Sequence, residues 1–174
     1  MSPELPYLSH YAPQVQQQVA ELLSNNQLGH WLRSKYSSLH NVANDADLRD
    51  YVTDLKNHYM KKTQALSKIC YDGKIHIVNQ ALGLHSYVTR VQGAKLKSKN
   101  EIRISNLFKN TPEPFLNMIV VHELAHLKEK QHNKAFYQLC QHMLPDYHQI
   151  EFEVRVYLTE LERNGSVFSL PPTE

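Results

Sequence analysis

Cysteine is scarce in this chain, and the two copies present, Cys70 and Cys140, stand far apart with no C-x-x-C pair. That excludes a disulfide-built scaffold and reads instead as two small core hydrophobes in a reducing compartment. The N-terminus, Met1-Ser2-Pro3-Glu4-Leu5-Pro6, has neither a basic leader nor an apolar stretch, so no secretory signal is expected. Nor does any window approach the roughly eighteen apolar residues that a membrane-spanning helix needs. The net charge of +2 is too small to mark a nucleic-acid binder by itself. Internal repeats and low-complexity segments are absent too. These gaps together point to a soluble cytoplasmic protein with no membrane partner.

What is present suits one globular domain: 174 residues, 41% hydrophobic and 21% charged. Residues 1–65 are expected to form a helical cover, 66–165 the catalytic core, and 166–174 a tail containing Pro171-Pro172. A first helix should begin at Pro13 and bury Val15, Val19, Leu22 and Leu23, with Asn25-Asn26 and Gly29 as its stop. Asn44 or Asp45 can cap a second helix with Leu48, Tyr51, Val52, Leu55 and Tyr59 on one face. Its other face, with Arg49, Asp50, Asp54 and Lys56, reads as solvated surface. Strand character follows in Lys74–Val78, after an Asp72-Gly73 turn, then in Ser86–Val91 and Glu101–Ser105. The polar stretch between the last two suits a hairpin, so a small, mostly antiparallel sheet is expected.

Thr111-Pro112-Glu113-Pro114 can start a long helix running from about Phe115 to about Lys130. A further helix led by His132 or Asn133 should follow, with Phe136, Leu139, Cys140 and Met143 inward. A last one, from about His148 to Arg163, should stop at Asn164-Gly165. Helices around a small sheet make the class α+β.

The long helix carries the chemistry. It holds His122-Glu123-Leu124-Ala125-His126, with His132 six residues on. Two histidines at i and i+4 lie on one helix face, so both imidazoles can reach one metal ion. Glu123, between them, is placed to act as general base toward a water that the metal activates. The apolar run Ile119-Val120-Val121 anchors the mount in the core. With 11 His and 11 Glu in the chain, a chance match to this motif has odds of ~4%, so an ordinary buried helix is the weaker reading. Zinc suits neutral imidazoles, with Mn2+, Co2+ or Mg2+ as alternatives.

The third ligand is less determined. His132 has the separation from His126 found in H-E-x-x-H-x-x-G-x-x-H enzymes, but Glu129 stands where those have Gly. The chain must then turn by another route, around Lys130-Gln131. Glu151 and Glu153 are the competing candidates, by analogy with hydrolases that take a glutamate from a later helix. Glu129 itself, seven residues after His122, could lie close enough to fix an imidazole tautomer, though a helix-end carboxylate is the plainer reading. Arg90, Arg103 and Tyr147 are candidates for meeting charge that develops on the substrate.

The stretch HELAHLKEKQHNKAFYQLCQHMLPDY resembles the YgjP-like family of bacterial metal-dependent hydrolases, relatives of the SprT- and WLM-type zinc metallopeptidases. The likeness extends through VTRVQGAKLKSKNEIRIS and TPEPFLNMIVV to nearly the whole chain. In those relatives a third His followed four residues later by Phe completes the site, which His132 and Phe136 match. Many carry Trp-Gly-Ser-Cys where this chain has Val91-Gln92-Gly93-Ala94, so nothing is carried over from that element. The resemblance implies a zincin-like fold and a metal-dependent hydrolase.

Three functions compete. A zinc-dependent peptidase follows from the helix and the relatives, with Glu101–Ser105 holding an extended peptide. A nucleoside triphosphate pyrophosphatase, acting on UTP, is also attached to the family. It gains from the cations Arg90, Lys95, Lys97, Lys99 and Arg103, which suit a phosphate substrate. A lysine-rich edge hairpin that deters aggregation explains the same residues equally well. The third reading is a nucleic-acid-associated module that keeps its metal only for folding. The intact Glu123 argues against it, because a structural metal has no use for that carboxylate.

Overall fold

The computed structural model describes residues 3–75 and 101–168. The class is α+β. Six α-helices are present among these residues: α1 (Pro13–Ser24), α2 (Leu28–Lys35), α3 (Asp45–Tyr59), α4 (Glu113–Ala125), α5 (Lys134–Met143) and α6 (Tyr147–Asn164). Two strands, β1 (Lys68–Asp72) and β2 (Glu101–Ser105), form the described sheet. Short 3-10 turns cover Pro6–Leu8 and Asn106–Asn110.

The sheet corrects the expectation of antiparallel pairing. β1 and β2 run parallel, with Lys68 opposite Glu101 and Asp72 opposite Ser105. Parallel neighbours need a long crossover, for which residues 73–100 provide the length. Asp72-Gly73 follows a strand: Ile69, Cys70 and Tyr71 are its buried residues, and Gly73-Lys74 form the turn. A three-residue apolar run is too short to announce itself by alternation, and that is why this strand was not anticipated. The remainder of the expected Lys74–Val78 strand, the Ser86–Val91 strand and the hairpin lie outside the described residues.

Each strand has a reason to sit where it does. Tyr71 gives its backbone N–H to the Asp45 carboxylate at 2.9 Å and its hydroxyl to the Val42 carbonyl at 2.6 Å, which fixes β1 against the start of α3. Asn44 caps α3 by accepting from the Asp47 N–H at 2.9 Å. Ile102 and Ile104 of β2 are buried and pack on the α4 side, while Arg103 points to the opposite face. There it pairs with Asp72 at 3.1 Å and Glu101 at 3.2 Å.

The N-terminal helices also depart from expectation in two places. Gly29 does not stop α1; it lies inside α2, an additional helix. A Cβ there would meet Arg33 Nη1 and Glu160 Oε1 at 3.0 Å, so the glycine permits close packing of α2 on α6. Lys56 on the expected solvated face of α3 is buried, with its ammonium on the Thr63 carbonyl at 3.2 Å. α4 is buried around nearly its whole circumference. α6 packs against α4, α2 and the Pro6–Leu8 turn. No helix among the described residues is long and apolar enough to cross a membrane.

The β1–β2 join generates a pH prediction. The Lys74 N–H, and after it Arg103, holds the Asp72 carboxyl below its ordinary value, against a partial burial that works the other way. A depressed carboxylate adds stability above its unfolded pKa and loses it as pH falls through the folded one. Asp72→Asn is therefore expected to be less stable than wild type at about pH 7. That gap should shrink as pH falls below about 5, read from urea midpoints across the range.

Candidate metal centre

The helix that presents the motif is unusually committed to the interior. Pro114 in its first turn suits an N-terminus that has no N–H to spare, and Glu113 complements the positive end of the helix. The Tyr51 hydroxyl donates to Glu113 at 2.6 Å, tying α3 to the start of α4. From Met118 to Ala125 every residue is buried, including His122 and Glu123. An apolar helix enclosed on all sides cannot rotate or slide without opening a cavity, so its polar residues are held in place by its apolar ones.

α4 ends at Ala125, earlier than the expected Lys130. The chain leaves through a tight turn in which the Lys128 and Glu129 N–H groups both reach the Ala125 carbonyl, at 3.1 and 3.0 Å. Positive φ is confined, among the described residues, to Asn26 and Gly165. The turn therefore needs no left-handed residue, and glutamate at position 129 replaces glycine without strain. Asn133 then caps α5, accepting from the Phe136 N–H at 2.8 Å while its amide donates to Glu129 at 3.3 Å.

This route returns His132 to the helix. The Nε2 atoms of His122, His126 and His132 lie 3.2, 3.0 and 3.3 Å from one another. Phe136, fully buried, packs against all three rings at centroid distances of 4.5 to 5.0 Å. His132 is on the exposed side of the cluster. Behind the rings, His126 Nδ1 is 2.9 Å from the Glu129 carbonyl, and His122 Nδ1 is 2.8 Å from the Tyr147 hydroxyl. A carbonyl only accepts, so His126 carries its proton on Nδ1 and turns a bare lone pair inward at Nε2.

These donors fit a metal ion. Two ligands on a tetrahedral ion at about 2.0–2.1 Å stand roughly 3.3 Å apart, the spacing these nitrogens already have. Neutral imidazole nitrogens at that distance repel unless a proton or a cation lies between them. Buried histidines converging on one point are therefore a cation-holding arrangement.

The other sequence candidates distribute differently. Glu151 is engaged by Arg155 at 3.0 and 3.2 Å, and Glu153 by Lys35, Tyr36 and Gln149; neither joins the histidine cluster. Arg103 is bound to Asp72 and Glu101 on the sheet. Tyr147 lies fully buried behind His122, where it meets the ring rather than the exposed side of the cluster. Arg90 lies outside the described residues. The Glu129 carbonyl was missed by sequence reasoning, which weighed only its carboxylate; a backbone oxygen leaves no trace in residue identity.

The Asn133 cap, one residue after His132, should matter measurably, since it fixes where α5 begins. Asn133→Ala is expected to lower stability by about 1 kcal/mol and Asn133→Gly by only a few tenths, as read by urea denaturation.

Comparison with known proteins bears on what such a centre does. A family model described as YgjP-like, metallopeptidase domain, matches residues 88–155. The chain is 54% identical over 157 residues to a protein of Escherichia coli (strain K12) named UTP pyrophosphatase, a match that covers 90% of this chain and 94% of that one. No solved structure matches. Peptidases and pyrophosphatases both cleave with water, so the chain is a hydrolase under either description. With identity at this level across nearly both lengths, the chain belongs to the YgjP-like family.

Proposed function

We propose that this chain is a metal-dependent pyrophosphohydrolase that releases pyrophosphate from UTP, with zinc held by His122, His126 and His132 and Glu123 as the general base. The observation that carries the substrate is the 54% identity, over nearly both full lengths, to a protein named UTP pyrophosphatase. The observation that carries the metal is the convergence of three Nε2 atoms within 3.3 Å of one another. Zinc is favoured by an all-imidazole donor set, with Mn2+, Co2+ and Mg2+ as alternatives. A motif helix enclosed by the core and flanked by β2 reads as a zincin-like arrangement.

Bound in this site, the ion would supply Lewis acidity toward the group under attack. The chain supplies the rest. Glu123, in the buried part of the helix beside His122, takes the proton of the attacking water on its carboxylate and returns it to the departing pyrophosphate oxygen. Phe136 shields the rings from water on one side, and the exposed flank at His132 is where substrate enters. Tyr147 acts on His122 from behind and does not touch substrate.

A second reading, hydrolysis of peptides, is favoured by the metallopeptidase description of the matching family model and by the same histidine-glutamate helix. It uses the same base and the same ligands and differs only in the bond presented.

With Zn2+ supplied, wild type should release pyrophosphate from UTP, and Glu123→Gln should reduce kcat/KM by on the order of 10²–10⁴. No nucleotide turnover with zinc, manganese, cobalt or magnesium, while peptides are cleaved in a Glu123-dependent way, would transfer the assignment to the peptidase.

Metal binding to the folded chain alone raises its stability by mass action. Free Zn2+ at about 100 times its Kd should therefore add about 2.7 kcal/mol, read as a higher melting temperature. The same addition to His126→Ala should give a much smaller rise.

A further inference from the structure

Three side chains of α6 stand at i, i+4 and i+8: Tyr147, Glu151 and Arg155. That spacing places them in one row along the helix. All three are buried, in a part of the chain where charged groups are retained only when paired. Their partners form a continuous line. The Tyr147 hydroxyl is 2.8 Å from His122 Nδ1, and Arg155 reaches Glu151 Oε1 through Nε and Nη2 at 3.2 and 3.0 Å. Its Nη1 donates to the Tyr7 carbonyl at 3.1 Å, in the N-terminal 3-10 turn. Glu151 stands one helical turn beyond Tyr147 on the same face of α6, and the phenol is held far from ionising, by burial first and then by that carboxylate's charge.

The direction of these bonds follows from what each group can do. Arg155 only donates, so Glu151 is kept as a carboxylate that accepts. A carboxylate one turn away on the same face favours a Tyr147 hydroxyl hydrogen turned toward it, which leaves the phenol oxygen's lone pairs toward His122. The His122 ring must then carry its proton on Nδ1, with Nε2 bare and directed at His126 and His132. Without that constraint nothing in the ring itself would keep Nε2 unprotonated.

We propose that Tyr147 and Glu151 are positioning residues for the metal centre, which fix the Nδ1–H tautomer of His122, and that Arg155 anchors this row to the Pro6–Leu8 turn. This inference rests on His122 being a metal ligand. Glu151 acts on the site through the tyrosine, one residue removed from the ring.

The test uses the full chain and Zn2+ alone, with affinity measured by competition against a chromophoric chelator. It adds ring-15N spectra of the metal-free protein, which report the tautomer of His122. Tyr147→Phe keeps the ring and removes the hydroxyl. It should weaken Zn2+ binding about 10–100-fold and shift His122 from the Nδ1–H form toward Nε2–H. Glu151→Gln should change both readouts in the same direction by a smaller factor, and thermal melts of the two variants check that the fold is retained. Unchanged affinity and an unchanged His122 tautomer in Tyr147→Phe would overturn the proposal while leaving the metal centre standing. If wild type binds no Zn2+, or His126→Ala binds it as tightly as wild type, the metal reading fails first and takes this one with it.

Discussion

The structure turns on three imidazole nitrogens within 3.3 Å of one another, two of them carried by the last turn of a helix enclosed in the core. Bringing such groups together is unfavourable on its own, since bare lone pairs repel and two of the three rings are buried. The arrangement persists because the energy that opposes it is small beside the burial of α4, which encloses every residue from Met118 to Ala125. Site and core are thus one piece of structure. A helix buried along most of its length is also the helix that presents the chemistry, and Phe136 serves both core and site, as a core residue and as the surface on which the rings rest.

Orientation of the rings is a separate matter from their approach. Each buried histidine is fixed from behind, but by different means. His126 is held by a backbone carbonyl, the cheapest acceptor available, exposed by the early end of α4. His122 faces a side chain, Tyr147, which can donate or accept and so needs Glu151 to decide its direction. The first device depends only on how the chain turns. The second draws on residues from another helix and, through Arg155, on the N-terminal turn. His122 is therefore the ring most exposed to changes far from the site.

Much of this was legible in the sequence, for identifiable reasons. Helix spacing put His122 and His126 on one face, and the apolar residues before them announced the burial. Asn44, Asn133 and Asn164-Gly165 mark helix ends that the structure has within a residue, because caps are local chemistry. Long-range pairing was not legible. Ile69-Cys70-Tyr71 is too brief to show a period, and a parallel partner beyond residues 73–100 leaves no local signature. Gly29 was misread because a glycine that permits helix packing looks the same in sequence as one that ends a helix. Tyr147, expected to face substrate, stands against His122 instead, because a phenol facing substrate and a phenol facing a ring nitrogen are spelled alike.

Charge bears on which bond is cleaved. Arg103 brings little to a phosphate substrate, because Asp72 and Glu101 already neutralise it on the outer face of β2. For the triphosphate of the proposed substrate, the metal centre itself offers another source of attraction. Three neutral imidazoles contribute no charge of their own, so a divalent ion among them would keep its full +2, offset among the described residues by Glu123. A donor set in which one histidine is replaced by a carboxylate would surrender half of that. The two glutamates that could have served, Glu151 and Glu153, are both turned to cationic partners elsewhere in the chain. An uncompensated ion binds a polyanion better than a neutral peptide. In the proposed reading a third histidine helps the ion hold a nucleotide, while three-histidine sites of the H-E-x-x-H-x-x-G-x-x-H kind serve peptide hydrolysis as well.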